Sequence, residues 1–243
     1  MKIPNISFNY PTYIVGGYVR DKIMNENSKP KDIDLCMVCD SIAEVESEIE
    51  RVGGKVFISK PEYLTVRCKL PKLGSVDIAM ARKDGAYTDA RRPDSVKVAS
   101  RIEEDLKRRD ATMNAVAVDL SNGEIIDPFN GVEDIKNSLI NAVGSAKVRI
   151  KEDNLRLLRY FRFAITKSFF LSNEIKECMS DKYYCGALEK NVSQERVREE
   201  LFRCFLFDTH ATLCQLEEYK NLRDSLFKDK VKSLWLKPTN ESK

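Results

Sequence analysis

The chain has 243 residues, 42% hydrophobic and 33% charged, enough apolar sequence to bury a core, which excludes a wholly disordered protein. Lys plus Arg number 41 and Asp plus Glu 38, so the net charge of +3 is too small to diagnose a nucleic-acid binder by itself. The excess is uneven: residues 1–144 carry 21 basic and 23 acidic side chains and residues 145–243 carry 20 and 15, so a bound polyanion is expected on the C-terminal part.

The first apolar run, Tyr13–Val15, reads as a strand that enters Gly16-Gly17-Tyr18-Val19-Arg20-Asp21 and then a helix. Paired glycines let backbone N–H groups approach phosphate oxygens, and the following helix N-terminus adds its dipole. A plain tight turn, with Arg20 and Asp21 paired on the surface, is the alternative. The next strand, Ile33–Val38, is introduced by Asp32 and Asp34. Strand side chains alternate, so the two carboxylates share one side while Ile33 and Leu35 point to the core. Carboxylates held side by side repel unless a cation lies between them. Such a pair binds Mg²⁺, and a divalent ion bridging carboxylates and a triphosphate is the apparatus of nucleotidyl transfer.

A helix over Ile42–Arg51 follows, with Ser41 as N-cap and Gly53-Gly54 closing it. Strands are predicted at Lys55–Ile58, Leu64–Lys69 and Val76–Met80. The last of these carries Asp77 among apolar neighbours, where it would hold a second ion or make a structural salt bridge. The polar, turn-rich run Lys83–Asp94 reads as a mobile loop beside the active site. A strand at Ala115–Leu120 completes a mixed α/β region. From about Ala146 a 3.6-residue period takes over, with Leu155, Leu158, Phe161 and Ile165 on one face and Arg156, Arg159 and Arg162 at intervals of three. Ser193–Phe207 is the next predicted helix, and the polar end Lys237–Lys243 is expected to fray.

No run approaches the ~18–20 apolar residues of a membrane span, and the N-terminus has no signal-peptide pattern, so a cytoplasmic location is expected. The seven cysteines are odd in number and scattered. They suit reduced, mostly buried thiols, and Cys36-x-x-Cys39, in an apolar run without a second Cys or His pair, is read as core.

The run Gly16–Asp21 followed by Asp32-Ile33-Asp34-Leu35 resembles the signature of the nucleotidyltransferase superfamily that includes DNA polymerase β. It is most similar to the class II branch, the tRNA CCA-adding enzymes and bacterial poly(A) polymerases. Glu104-Asp105-Leu106-Lys107-Arg108-Arg109-Asp110-Ala111-Thr112-Met113-Asn114-Ala115 resembles that branch's second motif, with Ala111 where an aromatic residue is usual. The run 127–135, Glu152–Phe163 and Ser193–Leu201 resemble its third, fourth and fifth.

The resemblance implies an α+β fold: a palm or head domain, residues 1–144, with a mixed, mainly antiparallel sheet, then an all-α neck, residues 145–243. It implies catalytic Asp32, Asp34 and Asp77, with Asp32 and Asp34 as ligands of Mg²⁺ in a two-metal arrangement. Gly16, Gly17 and Arg20 would face the triphosphate, and Arg109, Asp110 and Asn114 the sugar and phosphates. Asp153 and Arg156 would read the base, with Arg159 buttressing them. The hydrogen-bond pattern alone makes the same point, because an acceptor and a donor three residues apart on one helix face match the amino donor and ring acceptor of C and A and oppose U and G. An intrahelical ion pair is the alternative. The run Lys83–Asp94 is similar to the family's flexible loop, associated with the switch from C to A addition.

The implied reaction is template-independent addition of CCA, or its terminal A, to a tRNA 3′ end from CTP and ATP; a poly(A) polymerase, or an inactive RNA- or nucleotide-binding module, is the alternative. RNA contacts are expected from Arg91 and Arg92 in the loop and from Arg196, Arg198, Arg203 and Lys220. Family members continue into helical body and tail domains, so a second copy or a partner subunit is expected to replace them, and without one an acceptor-stem minihelix should serve as well as whole tRNA.

Overall fold

A computed structural model describes residues 6–28, 32–91 and 93–227. The chain divides into two compact units, residues 1–85 with 94–137, and residues 86–93 with 138–243.

Among the described residues, the first unit has nine strands, seven of them in one sheet. In chain order, β1 is Thr12–Val15, α1 Gly17–Met24, β2 Asp34–Met37, α2 Ile42–Arg51, β3 Lys55–Lys60, β4 Thr65–Leu70 and β5 Gly74–Met80. Then come β6 (Arg82–Asp84), β7 (Val96–Val98), α3 (Ile102–Lys107), a 3₁₀ turn (Thr112–Asn114), β8 (Ala117–Asp119), β9 (Ile125–Ile126) and α4 (Gly131–Lys136). The sheet order is β3-β4-β5-β2-β1-β8-β9. Every pairing is antiparallel except β2 with β5, so the sheet is mixed and mainly antiparallel. Ile14, Leu35, Met37, Val66, Cys68 and Ile78 are fully buried beneath it with Val45 and Ile49 of α2.

Local chemistry sets these elements. Helix α2 begins with a capping box: Ser41 Oγ accepts from the Glu44 N–H at 3.3 Å, and the Glu44 carboxylate accepts from the Ser41 N–H at 3.1 Å. It ends where Gly53 takes a positive φ of 76°. The predicted strand Ile33–Val38 is trimmed to Asp34–Met37, because β1 offers partners only from Thr12 to Val15. Asp32 therefore precedes the strand. Ala115–Leu120 likewise shrinks to Ala117–Asp119, since Ala115 closes the 3₁₀ turn. The run Lys83–Asp94 is not wholly loop: β6 pairs with β7, and the Gly85 N–H donates to the Ser95 carbonyl at 2.8 Å, so a hairpin stem roots the loop.

Among the described residues, the second unit is helical apart from a short parallel pair, β10 (Leu139–Ile140) with β11 (Phe170–Leu171). Its helices are α5 (Ala146–Glu152), α6 (Leu155–Lys167), α7 (Asn173–Ser180), α8 (Lys182–Asn191), α9 (Gln194–Phe207), α10 (Thr209–Glu218) and α11 (Lys220–Phe227). Leu155, Leu158, Phe161 and Ile165 all face inward, as the period predicts. Leu157 and Tyr160 are equally buried, so α6 is the central helix of the unit rather than a surface one. Arg162 reaches the buried Glu200 of α9 and lies 4.4 Å from the Phe163 ring centre. Lys237–Lys243 lies outside the described residues. All seven cysteines are free thiols and only Cys214 is exposed.

Candidate active site

The sheet register assembles the first part of the site. Val15 at the end of β1 stands opposite Asp34 at the start of β2, and Asp34 stands beside Asp77 of β5. Gly16 follows at once, with φ 74° and ψ −139°, a conformation open essentially to glycine alone. A Cβ added there would lie 3.5 Å from Asp34 Oδ2 and 3.7 Å from Arg109 Nη1, in the space between carboxylate and guanidinium. Gly17 is the first residue of α1, and Arg20 comes one turn later.

Arg20 is not a surface partner of Asp21 alone. It is buried, with Nε donating to Asp21 Oδ1 at 2.9 Å and Nη1 to Asn114 Oδ1 at 2.7 Å. Asn114 Nδ2 in turn donates to Asp110 Oδ1 at 3.0 Å, so the first motif and the second are joined by one buried chain of hydrogen bonds. Arg109 donates through Nε and Nη2 to Asp105 and through Nη1 to the Asn114 carbonyl.

Asp34 has its pKa raised, first by desolvation in the surrounding sheet and then by the charge of Asp77, with Arg109 pulling it back and Asp32 adding to the rise. Asp77 is half-exposed rather than buried within its strand, and it holds Arg67 in a two-pronged ion pair at 2.7 and 2.8 Å. Among the described residues, no group of three or more His, Cys, Asp or Glu is assembled to hold a metal ion. Asp77 is turned to its arginine instead.

The third motif has a packing role that spacing did not reveal. The Asp127 carboxylate accepts from the Gly131 and Val132 N–H groups at 2.7 and 2.8 Å, opening α4. A Cβ on Gly131 would come 2.1 Å from the Thr112 carbonyl oxygen, and Thr112 Oγ1 donates to Asp134 Oδ2 at 2.5 Å. The motif clamps the 3₁₀ turn that carries Asn114.

In the second unit, Asp153 and Arg156 do not share one helix. Asp153 caps the end of α5 in extended backbone, φ −139° and ψ 107°, and α6 starts only at Leu155. Asn154 makes the break: its Nδ2 donates to the Ile150 carbonyl at 2.7 Å, its Oδ1 accepts from Asn191 Nδ2 at 2.8 Å, and its N–H reaches the Ala90 carbonyl at 3.2 Å. Asp153 and Arg156 have separate counter-charges. Asp153 pairs with Arg196 at 3.1 Å, and Arg156 Nη1 pairs with Glu152 at 2.7 Å. Arg159 lies 5.6 Å from the Phe163 ring centre.

Arg196, expected on RNA, is thus engaged with Asp153. Arg91 and Arg198 are exposed, Arg203 pairs with Glu199, and Arg92 lies outside the described residues. Asp105 was missed as a site residue, although it stands three and four residues before Arg108 and Arg109, the spacing of helical neighbours.

Residues 12–141 match the family model of the Poly A polymerase head domain. The chain belongs to this family. Among its relatives, the CCA-adding enzyme of Lactobacillus helveticus is 37% identical over 194 residues, 80% of this chain and 46% of that protein. That of Geobacillus kaustophilus is 36% identical over 192 residues, 79% and 45%. Of solved structures, the Bacillus stearothermophilus CCA-adding enzyme in complex with CTP superposes with a TM-score of 0.75 at 30% identity, covering 94% of this chain and 53% of that one. A tRNA nucleotidyltransferase complexed with a primer tRNA and an incoming ATP analog gives 0.70 at 29%, covering 90% and 59%. The family's head is the mixed sheet described above, and the chain spans about half the length of the curated relatives it matches.

Proposed function

We propose that this chain is a template-independent RNA 3′-end nucleotidyltransferase that adds CCA, or its terminal A, to tRNA from CTP and ATP. The observation that carries the reading is the register placing Asp34 beside Asp77, next to the Gly16-Gly17 turn and Arg109. The relatives named above as CCA-adding enzymes, one of them solved with CTP, and the tRNA nucleotidyltransferase solved with a primer tRNA and an incoming ATP analog support the substrate class.

The donor set suits a hard divalent ion. Its ligands are carboxylate oxygens, and the like charges of Asp77 and Asp32 around Asp34 are what a cation would relieve. Asp32 and Asp34 would hold Mg²⁺ with Asp77 beside them, the remaining ligands coming from substrate phosphates and water. When bound, Mg²⁺ supplies charge neutralisation at the triphosphate and acidifies the attacking hydroxyl. In the reaction the RNA 3′ oxygen bonds to the α-phosphorus, the bond to the β-phosphate oxygen breaks in line, and pyrophosphate leaves.

The chain's own residues orient that displacement. Backbone N–H groups at Gly16 and Gly17 and the cations of Arg20 and Arg109 face the phosphates, while Asp110 and Asn114 fix the sugar. Asp153 accepts the exocyclic amine of C or A and Arg156 donates to the ring nitrogen, with Arg159 buttressing α6. Arg196 holds the Asp153 carboxylate, and Arg91, Arg92, Arg198 and Arg203 take the RNA backbone. The test is incubation of the purified chain with tRNA lacking CCA, Mg²⁺ and each labelled NTP singly and together. CTP incorporation followed by one A is expected. A long A tract would give the poly(A) polymerase instead, and no incorporation would overturn the reading.

A further inference from the structure

Asp105 is a fully engaged charge of the first unit. It is wholly buried, and its two oxygens receive five N–H donors. Oδ2 takes Arg109 Nε and Nη2 at 3.3 and 3.0 Å. Oδ1 takes Arg108 Nε and Nη2 at 3.0 and 2.8 Å and the Arg82 backbone N–H at 3.3 Å. Arg108 also lies 3.8 Å from Asp84, which pairs with Arg82 at 3.2 Å. Arg82 and Asp84 are the ends of β6, the strand that with β7 roots the 85–95 loop. One buried carboxylate therefore holds both the loop root and the guanidinium beside Gly16.

We infer that Asp105 is a positioning residue for nucleotide phosphates, acting through Arg109 and tying that arginine to the root of the loop. The inference rests on the reading of Arg109 as a phosphate contact. Its physical basis is the two-sided demand on Asp105. Two adjacent, partly buried guanidinium groups repel each other unless a shared anion lies between them, and a carboxylate with both oxygens occupied leaves Arg109 one orientation. An asparagine offers a single acceptor oxygen in the same volume, so one arginine loses its fork and gains an N–H facing it.

The experiment is equilibrium binding of ATP and of AMP, without RNA, to the wild type, Asp105→Asn, Arg109→Ala and the double variant, each checked for fold by circular dichroism. Asp105→Asn and Arg109→Ala should each weaken ATP about tenfold and leave AMP within about twofold, and the double variant should be no worse than Arg109→Ala alone. In turnover, Asp105→Asn should raise KM for ATP and CTP far more than it lowers kcat. A folded Asp105→Asn that binds ATP normally while Arg109→Ala does not would overturn the inference, as would fully additive losses or equal weakening of ATP and AMP. If Arg109→Ala itself binds ATP normally, the phosphate reading of Arg109 fails, and the inference with it. Should Asp105→Asn not fold, Asp84→Asn tests the link to the loop root with Asp105 in place. About threefold weaker ATP with unchanged AMP supports it, and unchanged ATP overturns it.

Discussion

Asp34 is a carboxylate that the metal-free fold holds at a disadvantage. Its folded pKa is raised by desolvation and by the charge of Asp77, so the native state keeps its proton to higher pH than the unfolded chain does. Native stability from this group is therefore lost, not gained, as pH rises from the unfolded value through the folded one. Asp34→Asn should melt no lower than the wild type in EDTA, with its advantage growing as pH rises above the unfolded carboxylate value, while incorporation falls below about one per cent. A destabilised Asp34→Asn protein, or one with substantial activity, contradicts the role. Asp153 gives the complementary test. On the proposed reading its carboxylate is the acceptor that opposes a keto oxygen, so Asp153→Ala should raise UTP and GTP incorporation relative to CTP and ATP. Equal losses with all four nucleotides, measured singly, would make the Asp153–Arg196 pair purely structural.

Elements are held by caps and close approaches whose costs can be ranked. The Ser41 side chain satisfies one helix N–H on a half-exposed helix start, so Ser41→Ala should cost about 1 kcal/mol in urea unfolding. Gly131→Ala is a different case, because its Cβ would meet the Thr112 backbone oxygen at 2.1 Å and only a backbone shift can relieve it. That shift should cost at least about 2 kcal/mol and, by moving the 3₁₀ turn, also weaken nucleotide binding through Asn114. A Gly131→Ala protein with wild-type stability and nucleotide affinity would mean that α4 does not position the turn.

Six of the seven thiols lie inside, as do the lowered carboxylates of Asp105 and Glu48. Burial raises the thiols of Cys39, Cys68 and Cys178 to about 11 and those of Cys185 and Cys204 to about 12, and Cys36 higher still. A thiol reagent should therefore titrate one group, Cys214, in the native protein and seven in denaturant. Carboxylates set the acid limit. Burial works against the charge of Asp105, yet Arg108 and Arg109 hold its pKa below the usual range, and the Glu48 pKa is lowered chiefly by its hydrogen bonds from Arg51. Depressed carboxylates contribute stability that is present above the unfolded pKa and lost as pH falls through the folded one. The melting temperature should be nearly level from pH 6 to 8 and drop steeply below about pH 4. No helix among the described residues is long and apolar enough to cross a membrane.

What the sequence determined by itself was everything carried by short-range pattern. Helix α2 with its cap, the alternation that buries Leu35 beneath Asp34, six of the seven strands of the sheet and the inward face of α6 follow from periodicity and turn chemistry, which act over a few residues, whereas the two-residue β9 carries too short a pattern to be read. The five motif-like runs likewise carried the family resemblance, which the match of residues 12–141 to the head-domain family bears out. Tertiary structure alone decided who meets whom. Asp77 turning to Arg67, Arg20 reaching Asn114 and Arg196 closing on Asp153 are choices among many opposite charges and donors. The break at Asn154 was hidden for the same reason. Both flanking segments have helical period, and only the partners at Ile150, Asn191 and Ala90 make the interruption cheaper than a continuous helix. Composition fixes how many such groups exist, but sheet register and helix packing decide which of them lie within hydrogen-bond reach.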